Sequence, residues 1–302
     1  MTTFNRIWKT KRWQHDRTGR RITSGLQAAY QMAAGTVLSS RSYLDANDMT
    51  GTEFNTWTAS GKLTTTMFVE GGGHGGAFGY DESNRVIYTL VKHPVTRQKY
   101  VGAVTYQPNQ VVGVDDFLWL AKVPRYVRFA TDSVTDGFVA SDALGNVYSG
   151  RLSDLKQKAD LPAPAFNLGV FGLKINPTDH PNSGQLNTLQ SNGVCGPYAF
   201  FTFGNADNAD PRLIVAIDLR DQTLVVSHEI IPQHDIQLKL PLEKGGHMEP
   251  EGVYYDRRTS RLIVGINRTE GWGIGRFGYW RTHSELYATT FFNARLPDIS
   301  QQ

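Results

Sequence analysis

Three features of the amino-acid sequence indicate an all-β protein, folded as a five-bladed β-propeller with an extended N-terminal arm. First, segments rich in β-branched and aromatic residues follow one another along most of the 302 residues. Second, segments with a helical period of 3.6 residues are scarce. Third, short motifs recur at intervals of roughly 45 to 60 residues, close to the length of a four-stranded blade.

The predicted strands are joined by turns rich in Gly, Asn, Asp and Pro. One segment, residues 152–160, has a pattern that fits a single short helix. So many strands with so few helices leave a sandwich, a β-helix or a propeller, and the internal repeats favour the propeller. The predicted strands are residues 36–44, 62–69, 85–93, 99–107, 126–133, 137–142, 146–152, 198–204, 212–219, 223–231, 261–268 and 284–292.

Two of the repeat units begin with closely related motifs. "GGHGGAFGYD" (residues 72–81) and "GGHMEPEGVYYD" (residues 245–256) share Gly-Gly-His followed by Tyr-Asp. In a propeller the first strand of each blade lines the central channel, where blades converge and bulky side chains would collide. We therefore expect Gly-Gly-His to open an inner strand and Tyr-Asp to close it. The five predicted unit starts are residues 25–40, 72–90, 134–150, 188–204 and 245–266.

The positive charge of the chain is concentrated in its N-terminal segment. Residues 1–25 carry seven Lys or Arg residues against one Asp, whereas the rest of the chain has 24 basic and 27 acidic residues. This distribution argues against a broad basic surface for nucleic acid. We expect residues 1–24 to form a basic, aromatic arm and residues 25–302 to form the propeller. The arm residues expected to contact other proteins are Trp8, Lys11, Arg12 and Trp13.

The single cysteine, Cys195, excludes an internal disulfide, so stability must come from burial. We expect this cysteine to be a small core residue, with a nucleophilic role as the less common alternative. No apolar run approaches the length of a membrane-spanning helix, and the basic N-terminus lacks the apolar segment of a signal peptide. These features predict a protein made in a cytoplasm, without a membrane span.

Two motifs resemble parts of the propeller domains of bacteriophage baseplate and tail proteins. They are "EGGGHGGAFGYD" (residues 70–81) and "GHMEPEGVYYDRRTSRLIVGI" (residues 246–266), together with the Leu-Gln that starts the first unit. The chain is also similar in pattern to teichoic acid biosynthesis protein C and helveticin J-like proteins. The resemblance spans about residues 25–292. It implies a five-bladed propeller on a phage baseplate or tail fibre that binds a carbohydrate of the host cell wall during attachment.

The same resemblance implies a virion protein of the viral tail, made in the host cytoplasm and acting at the bacterial cell surface. Its expected partners are other phage tail proteins, contacted through the arm, further copies of itself in the virion, and a bacterial cell-wall glycan. No cofactor and no nucleic-acid partner is expected. Two alternatives stay open: an enzyme that degrades a cell-wall polymer on the same fold, and a purely structural tail subunit.

His74 and His247 occupy matching repeat positions, which would place both at the mouth of the channel. Each imidazole could order a turn between blades or contact a ligand. In an extended strand, His247, Glu249 and Glu251 fall on one side, but their spacing matches no specific metal site, so no metal is predicted. If the protein is an enzyme, these four residues are the candidate catalytic groups. The other carboxylates in the repeats are Asp81 and Asp256.

The segment "EGWGIGRFGYWRTHSE" (residues 270–285) is expected to be a glycine-rich aromatic loop. It either packs against the outer blade or presents its rings to the apolar faces of sugars. The candidate ligand-binding residues are Trp272, Phe277, Tyr279 and Trp280 in this segment, with His74 and His247 at the channel.

Overall fold

The computed structural model of the protein is a five-bladed β-propeller, as the sequence predicts. For residues 21–22, 34, 44, 50, 114, 247, 268–274 and 277–283 it describes the backbone alone. Within the described part of the chain there are 23 strands and no α-helix. The structure describes residues 4–9, 21–22, 26–44, 50–73, 75–123, 125–155, 159–173, 175, 188–204, 211–230, 247–274, 277–296 and 299. Short 3-10 turns lie at Ala33–Gly35, Val114–Asp116, Leu152–Asp154, Leu168–Phe171 and Asn293–Arg295.

The fifth blade contains both ends of the ring, because an N-terminal strand, β1 (Asn5–Lys9), forms its outermost strand. The first blade contains β2 (Arg21–Ile22), β3 (Ala28–Gln31), β4 (Val37–Leu44), β5 (Thr50–Trp57), β6 (Leu63–Val69) and β10 (Val111–Val112). The second contains β7 (Gly79–Asp81), β8 (Val86–Lys92), β9 (Lys99–Thr105), β11 (Leu118–Val123) and β15 (Ala159–Asp160). The third contains β12 (Val127–Asp132), β13 (Gly137–Asp142), β14 (Asn146–Arg151) and β16 (Phe166–Asn167). The fourth contains β17 (Leu189–Cys195), β18 (Tyr198–Phe203), β19 (Leu213–Asp218) and β20 (Thr223–Glu229), and the fifth adds β21 (His247–Asp256), β22 (Arg261–Ile274) and β23 (Phe277–Thr289) to β1.

The described N-terminal strand belongs to the propeller, which differs from the expectation that residues 1–24 form a separate arm. β1 pairs antiparallel with β23, and Arg6 and Lys9 each form an ion pair with the fully buried Glu285 at 3.2 Å. Trp8 is buried, with its ring edge-on to that of Trp57 and the two ring centroids 5.8 Å apart. Trp8 therefore packs inside the protein, because its large apolar surface is removed from water there. The expected arm residues Lys11, Arg12 and Trp13 lie outside the described residues.

The inner strands β3, β7, β12, β17 and β21 pack side by side around the axis, and glycines mark their closest approaches. A Cβ atom added at Gly193 would lie 2.4 Å from the carbonyl oxygen of Val253 in the next blade. One added at Gly79 would lie 2.1 Å from Thr131 Oγ1, and one at Gly252 would lie 3.0 Å from the backbone nitrogen of Ala29. These distances confirm that glycine is required where the blades converge.

The Tyr-Asp motifs end inner strands, as predicted. β7 ends at Asp81 and β21 ends at Asp256. Asp81 Oδ1 accepts hydrogen bonds from the backbone N–H groups of Ser83 and Asn84, at 3.0 and 3.2 Å, and Asp256 accepts from Arg258 N–H at 3.1 Å. Such an aspartate accepts hydrogen bonds from the backbone N–H groups of the turn that follows the strand. Its carboxylate therefore stabilises the turn.

Two details of the predicted organisation are wrong. The unit start at residues 134–150 falls on β13, whereas the inner strand of that blade is β12. β12 ends in Asp132, which caps its turn as Asp81 does, but no Gly-Gly-His precedes β12 in the sequence. The predicted helix over residues 152–160 is a single 3-10 turn, Leu152–Asp154, followed by the short strand β15.

The apolar core lies mainly between neighbouring blades. Phe54 of the first blade meets Phe78 at the start of the second, with ring centroids 5.2 Å apart, and Phe200 of the fourth stacks on Tyr255 of the fifth at 6.2 Å. Side chains of the strands thus point toward the next blade, and the burial that stabilises the fold depends on an intact ring.

We expect Gly193→Ala to lower the free energy of unfolding by about 1–3 kcal/mol, because the new methyl group would overlap the backbone of β21. Urea unfolding followed by tryptophan fluorescence measures this change. Gly137→Ala is the matched control, since its Cβ would meet only Thr135 Oγ1 at an ordinary 3.4 Å. Equal stability of the two variants would contradict the packing argument.

Candidate functional site

The two ends of the propeller differ in the connections they carry. The inner strands all run in one direction along the axis, so they end together at one face. We call this end the turn face; it carries Gln31, Asp81, Asp132, Cys195 and Asp256. The opposite end, where the inner strands begin, is the loop face.

A long hairpin of β22 and β23 stands at the loop face. β21 begins at His247, which pairs with Thr269 of β22. Beyond Thr269, five more residue pairs join β22 to β23, ending at Ile274 opposite Phe277. At 3.2–3.4 Å per residue, this two-stranded part extends roughly 17 Å past the start of β21. Among the described residues, no third strand pairs with it.

The predicted aromatic loop is therefore a hairpin. Trp272 lies opposite Tyr279 in the register, and Trp280 lies opposite Gly271. Residues alternate between the two faces of a strand, so the Trp272–Tyr279 pair shares one face with Ile274–Phe277, whereas Trp280 lies on the other. The expectation of a loop is wrong because the glycines were read as turn residues, although here they occupy strand positions between the aromatic residues.

The histidines expected at the channel are only partly placed. His74 lies outside the described residues, while the backbone of His247 starts β21 at the loop face, the end at which the sequence places it. The two glutamates that follow are on the same inner strand. Glu249 is half-buried and Glu251 is buried. The position of both histidines at the mouth of the channel stays a prediction.

Glu251 lies in an environment that disfavours a carboxylate. Desolvation by burial, and then the neighbouring charge of Glu249, raises the pKa of Glu251 well above its ordinary value. Gln27 Nε2 and Asn267 Nδ2 are 3.4 and 3.5 Å from Oε1, and Oε2 has no hydrogen-bond partner among the described residues. This environment favours the neutral acid over the carboxylate, which does not suit the role of a general base or nucleophile.

The remaining sequence candidates are structural. Cys195 is buried in the core, and burial raises the pKa of its thiol to about 12, which leaves it unreactive. Asp81 and Asp256 cap turns at the turn face, away from Glu251. In the part of the chain that the structure describes, no three His, Cys, Asp or Glu side chains group as metal ligands would.

Two arginines after the second Tyr-Asp were not singled out from the sequence. Arg257 forms an ion pair with Asp132 of the third blade at 2.5 Å. Arg258 contacts Asp256 at 3.0 Å and Glu82 of the second blade at 3.6 Å. Both side chains thus reach across the axis at the turn face. The available signal was "YYDRR", where the first motif continues "YDES".

The sequence of this chain matches a known protein family. Residues 40–281 match the family described as the phage 5-bladed beta propeller receptor binding platform domain. The chain belongs to this family. The matched region of this receptor-binding platform domain includes the inner strands β7, β12, β17 and β21 and the outer part of the β22–β23 hairpin, whereas β1 and the inner strand β3 precede it. The resemblance to phage receptor-binding propellers is thereby confirmed.

A solved structure similar to the receptor-binding platform domain is the tail fiber of Staphylococcus aureus phage P68, at a TM-score of 0.64 and 16% identity. The similarity covers 99% of this chain and 55% of the tail fiber chain, so this chain spans about half the length of that protein. At this identity the likeness concerns the fold alone.

Other comparisons add no argument about function. A hypothetical protein from Leishmania major is 9% identical, covering 97% of this chain and 92% of its own, with a TM-score of 0.49. No curated protein sequence matches the chain. The finer similarity to teichoic acid biosynthesis protein C and helveticin J stays a prediction. No helix in the described part of the chain is long and apolar enough to cross a membrane.

We expect Glu251→Gln to stabilise the protein increasingly as the pH rises above 4.5, the ordinary value for a glutamate. Above pH 4.5 the unfolded chain releases the proton of Glu251, whereas the folded state retains it. The contribution of Glu251 to the free energy of unfolding is therefore fully present below pH 4.5 and is lost with rising pH. Glutamine keeps the neutral shape at every pH. Denaturant unfolding of both proteins, below pH 4.5 and in mildly alkaline buffer, measures the difference.

Glu229→Gln is the matched control, because Glu229 is exposed at the end of β20. It should leave the pH dependence of unfolding unchanged. A wild-type protein that loses no stability relative to Glu251→Gln across this range would show that Glu251 is ionised in the folded state.

Proposed function

We propose that this receptor-binding propeller is part of a phage tail and recognises a glycan on the bacterial cell surface through the end of the β22–β23 hairpin. The observation that carries the proposal is the hairpin itself, a two-stranded extension of the loop face with four aromatic residues among glycines. Membership of a receptor-binding family supports binding to the host. The tail fiber named in the structural comparison supports a place in the tail.

The composition of the hairpin suits a sugar ligand. Aromatic rings provide flat apolar surfaces for the apolar faces of sugar rings, and polar groups beside them fix the orientation. Trp280 is opposite Gly271, and the neighbouring pairs on the same face are Gly273–Gly278 and Thr269–Thr282. Small and hydroxyl-bearing residues beside an indole suit a sugar ligand. The Trp272–Tyr279 pair offers a second aromatic surface on the other face.

Several copies of the protein on one tail would strengthen weak individual sites. Linked sites bind with an avidity that exceeds the affinity of each site. A single hairpin therefore does not need a deep pocket. This is consistent with a proposed homo-oligomeric arrangement in the virion and with action at the bacterial surface.

We also infer that the segment after β1 attaches the propeller to other tail proteins through Lys11, Arg12 and Trp13. β1 ends at Lys9 on the outermost strand of the fifth blade, so this segment begins at the rim of the propeller. A segment that begins at the rim can reach neighbouring subunits while the hairpin meets the host. Trp8 is not part of this proposal, because it is buried.

A shortened hairpin tests the glycan proposal. Replacing residues 272–279 by Asn-Gly joins Gly271 to Trp280 through a two-residue turn and removes the aromatic pair on one face. We expect this variant, and Trp280→Ala, to lose at least tenfold in affinity for bacterial cell walls. Co-sedimentation with walls from a bacterial panel that includes Staphylococcus measures the affinity, and released sugar is assayed in the same tube.

Val170→Ala is the matched control, since Val170 is an exposed apolar residue on a different blade. It should bind walls as the wild type does. Undiminished binding of cell walls by the variant with the shortened hairpin would contradict the glycan proposal. Release of sugar by the wild-type protein would instead favour the alternative of a polymer-cleaving enzyme.

Replacing Lys11, Arg12 and Trp13 together by Ala tests attachment through the N-terminal segment. The triple variant keeps Trp8 and β1, so the propeller should fold and bind walls normally. We expect it to be depleted from phage particles, measured by immunoblotting of purified virions after complementation. Normal incorporation would refute attachment through these residues. Deleting residues 1–24 would not separate the two effects, because that deletion also removes β1.

A further inference from the structure

A cavity of about 190 Å³ lies on the propeller axis next to the turn face. All five inner strands contribute to its wall, as expected only for a space on the axis itself. Its lining residues include Val134, which is exposed, and Arg258, whose side chain is 41% exposed. The cavity therefore opens at the turn face, opposite the end that carries the β22–β23 hairpin.

The wall of this cavity is rich in hydrogen-bonding groups. In the described part of the chain, each inner strand pairs with one neighbouring strand only, so its other edge presents backbone N–H and C=O groups toward the axis. Such groups need partners when they are removed from bulk water. Donors and acceptors alternate along an edge, a pattern that suits ligands whose groups both donate and accept.

Side-chain atoms of three lining residues are shielded from the cavity by other parts of the protein. Asn192 is 2% exposed, and its Nδ2 donates to the carbonyl of Val139 of the third blade at 3.0 Å. Thr131 Oγ1 lies against Gly79 of the second blade, and Arg257 is paired with Asp132. The polar groups that a ligand in the cavity would meet are therefore chiefly the backbone edges of the inner strands.

The charges at the cavity are already compensated. Arg257 is paired with Asp132, and Arg258 with Asp256 and Glu82. Every charged side chain that lines the cavity belongs to one of these pairs. An ionic ligand would have to compete with them, whereas a neutral ligand would not.

One side of the cavity is aromatic. The ring of Tyr30 stacks on that of Tyr254, with centroids 5.1 Å apart, and meets Tyr80 edge-on at 5.5 Å. All three tyrosines line the cavity. Aromatic carbon beside alternating donors and acceptors matches the two kinds of surface on a sugar or polyol, its C–H groups and its hydroxyls.

We propose that the axial cavity binds one neutral polyhydroxylated unit, a small polyol or a single sugar. The volume equals that of about six waters at ~30 Å³ each, so a unit of this size fits and a longer chain does not. This site goes beyond the hairpin proposal, because it lies on the opposite face and uses different residues. If the axial cavity binds no such unit, the hairpin proposal is unaffected. If the hairpin binds no glycan, the cavity proposal is unaffected.

The first test is calorimetric titration of the full-length protein with glycerol, glucose, N-acetylglucosamine and glycerol 3-phosphate. We expect binding of at least one neutral compound, and weaker binding of glycerol 3-phosphate than of glycerol. Ala77→Leu places a larger side chain at the cavity wall and should weaken binding at least tenfold. Val170→Ala, at an exposed site outside both the cavity and the hairpin, should bind these small compounds as the wild type does.

Tyr30→Phe keeps the ring of a lining residue while removing its hydroxyl, and it serves if Ala77→Leu does not fold. It should weaken binding while preserving the circular dichroism spectrum and the unfolding midpoint. No detectable binding of the three neutral compounds would mean that the cavity holds water only and would overturn the proposal. Unchanged binding in a folded cavity variant, or tighter binding of glycerol 3-phosphate than of glycerol, would overturn it as well.

Discussion

The convergence of five inner strands around one axis is the constraint on which the rest of this structure depends. At Gly193, Gly79 and Gly252 the neighbouring backbone or side chain leaves no space for a Cβ atom. Because the strands are this close, apolar side chains are directed between the blades, where they form the core. The apolar core therefore surrounds the axis, and the axis itself is left to backbone edges, a few polar side chains and the lining of a cavity.

This arrangement separates two tasks between the two ends of the propeller. The turn face is built from short turns whose aspartates accept backbone hydrogen bonds, and arginines of one turn form ion pairs with two other blades there. The loop face instead carries a hairpin that extends beyond its own blade. In the proposed function the hairpin binds the receptor and the ring holds the hairpin in place, as a binding element on a scaffold requires.

Much of the architecture could be predicted from the sequence, and the failures have physical causes. Strand alternation and the Gly-Gly-His and Tyr-Asp motifs predicted the fold, the blade number and the ends of β7 and β21. The strand β1 was missed because pairing with β23 is a contact between residues 279 positions apart, as in Arg6 and Glu285, and local pattern carries no trace of it. The axial cavity was also beyond prediction, since Asn192 and Tyr30 become neighbours only through the ring and neither carries a distinctive motif.

The pairing of β1 with β23 also has a consequence for biosynthesis. The first described strand must wait for nearly the whole chain to leave the ribosome before its partner exists, while blades one to four can form as they emerge. During that interval Phe4 and Trp8 have no core to enter, and the outer edge of the fifth blade has not yet been covered. Pairing between segments so far apart in sequence is intrinsically slow. The fifth blade is complete only when β1 meets β23, so a chain cut before β23 cannot complete this blade.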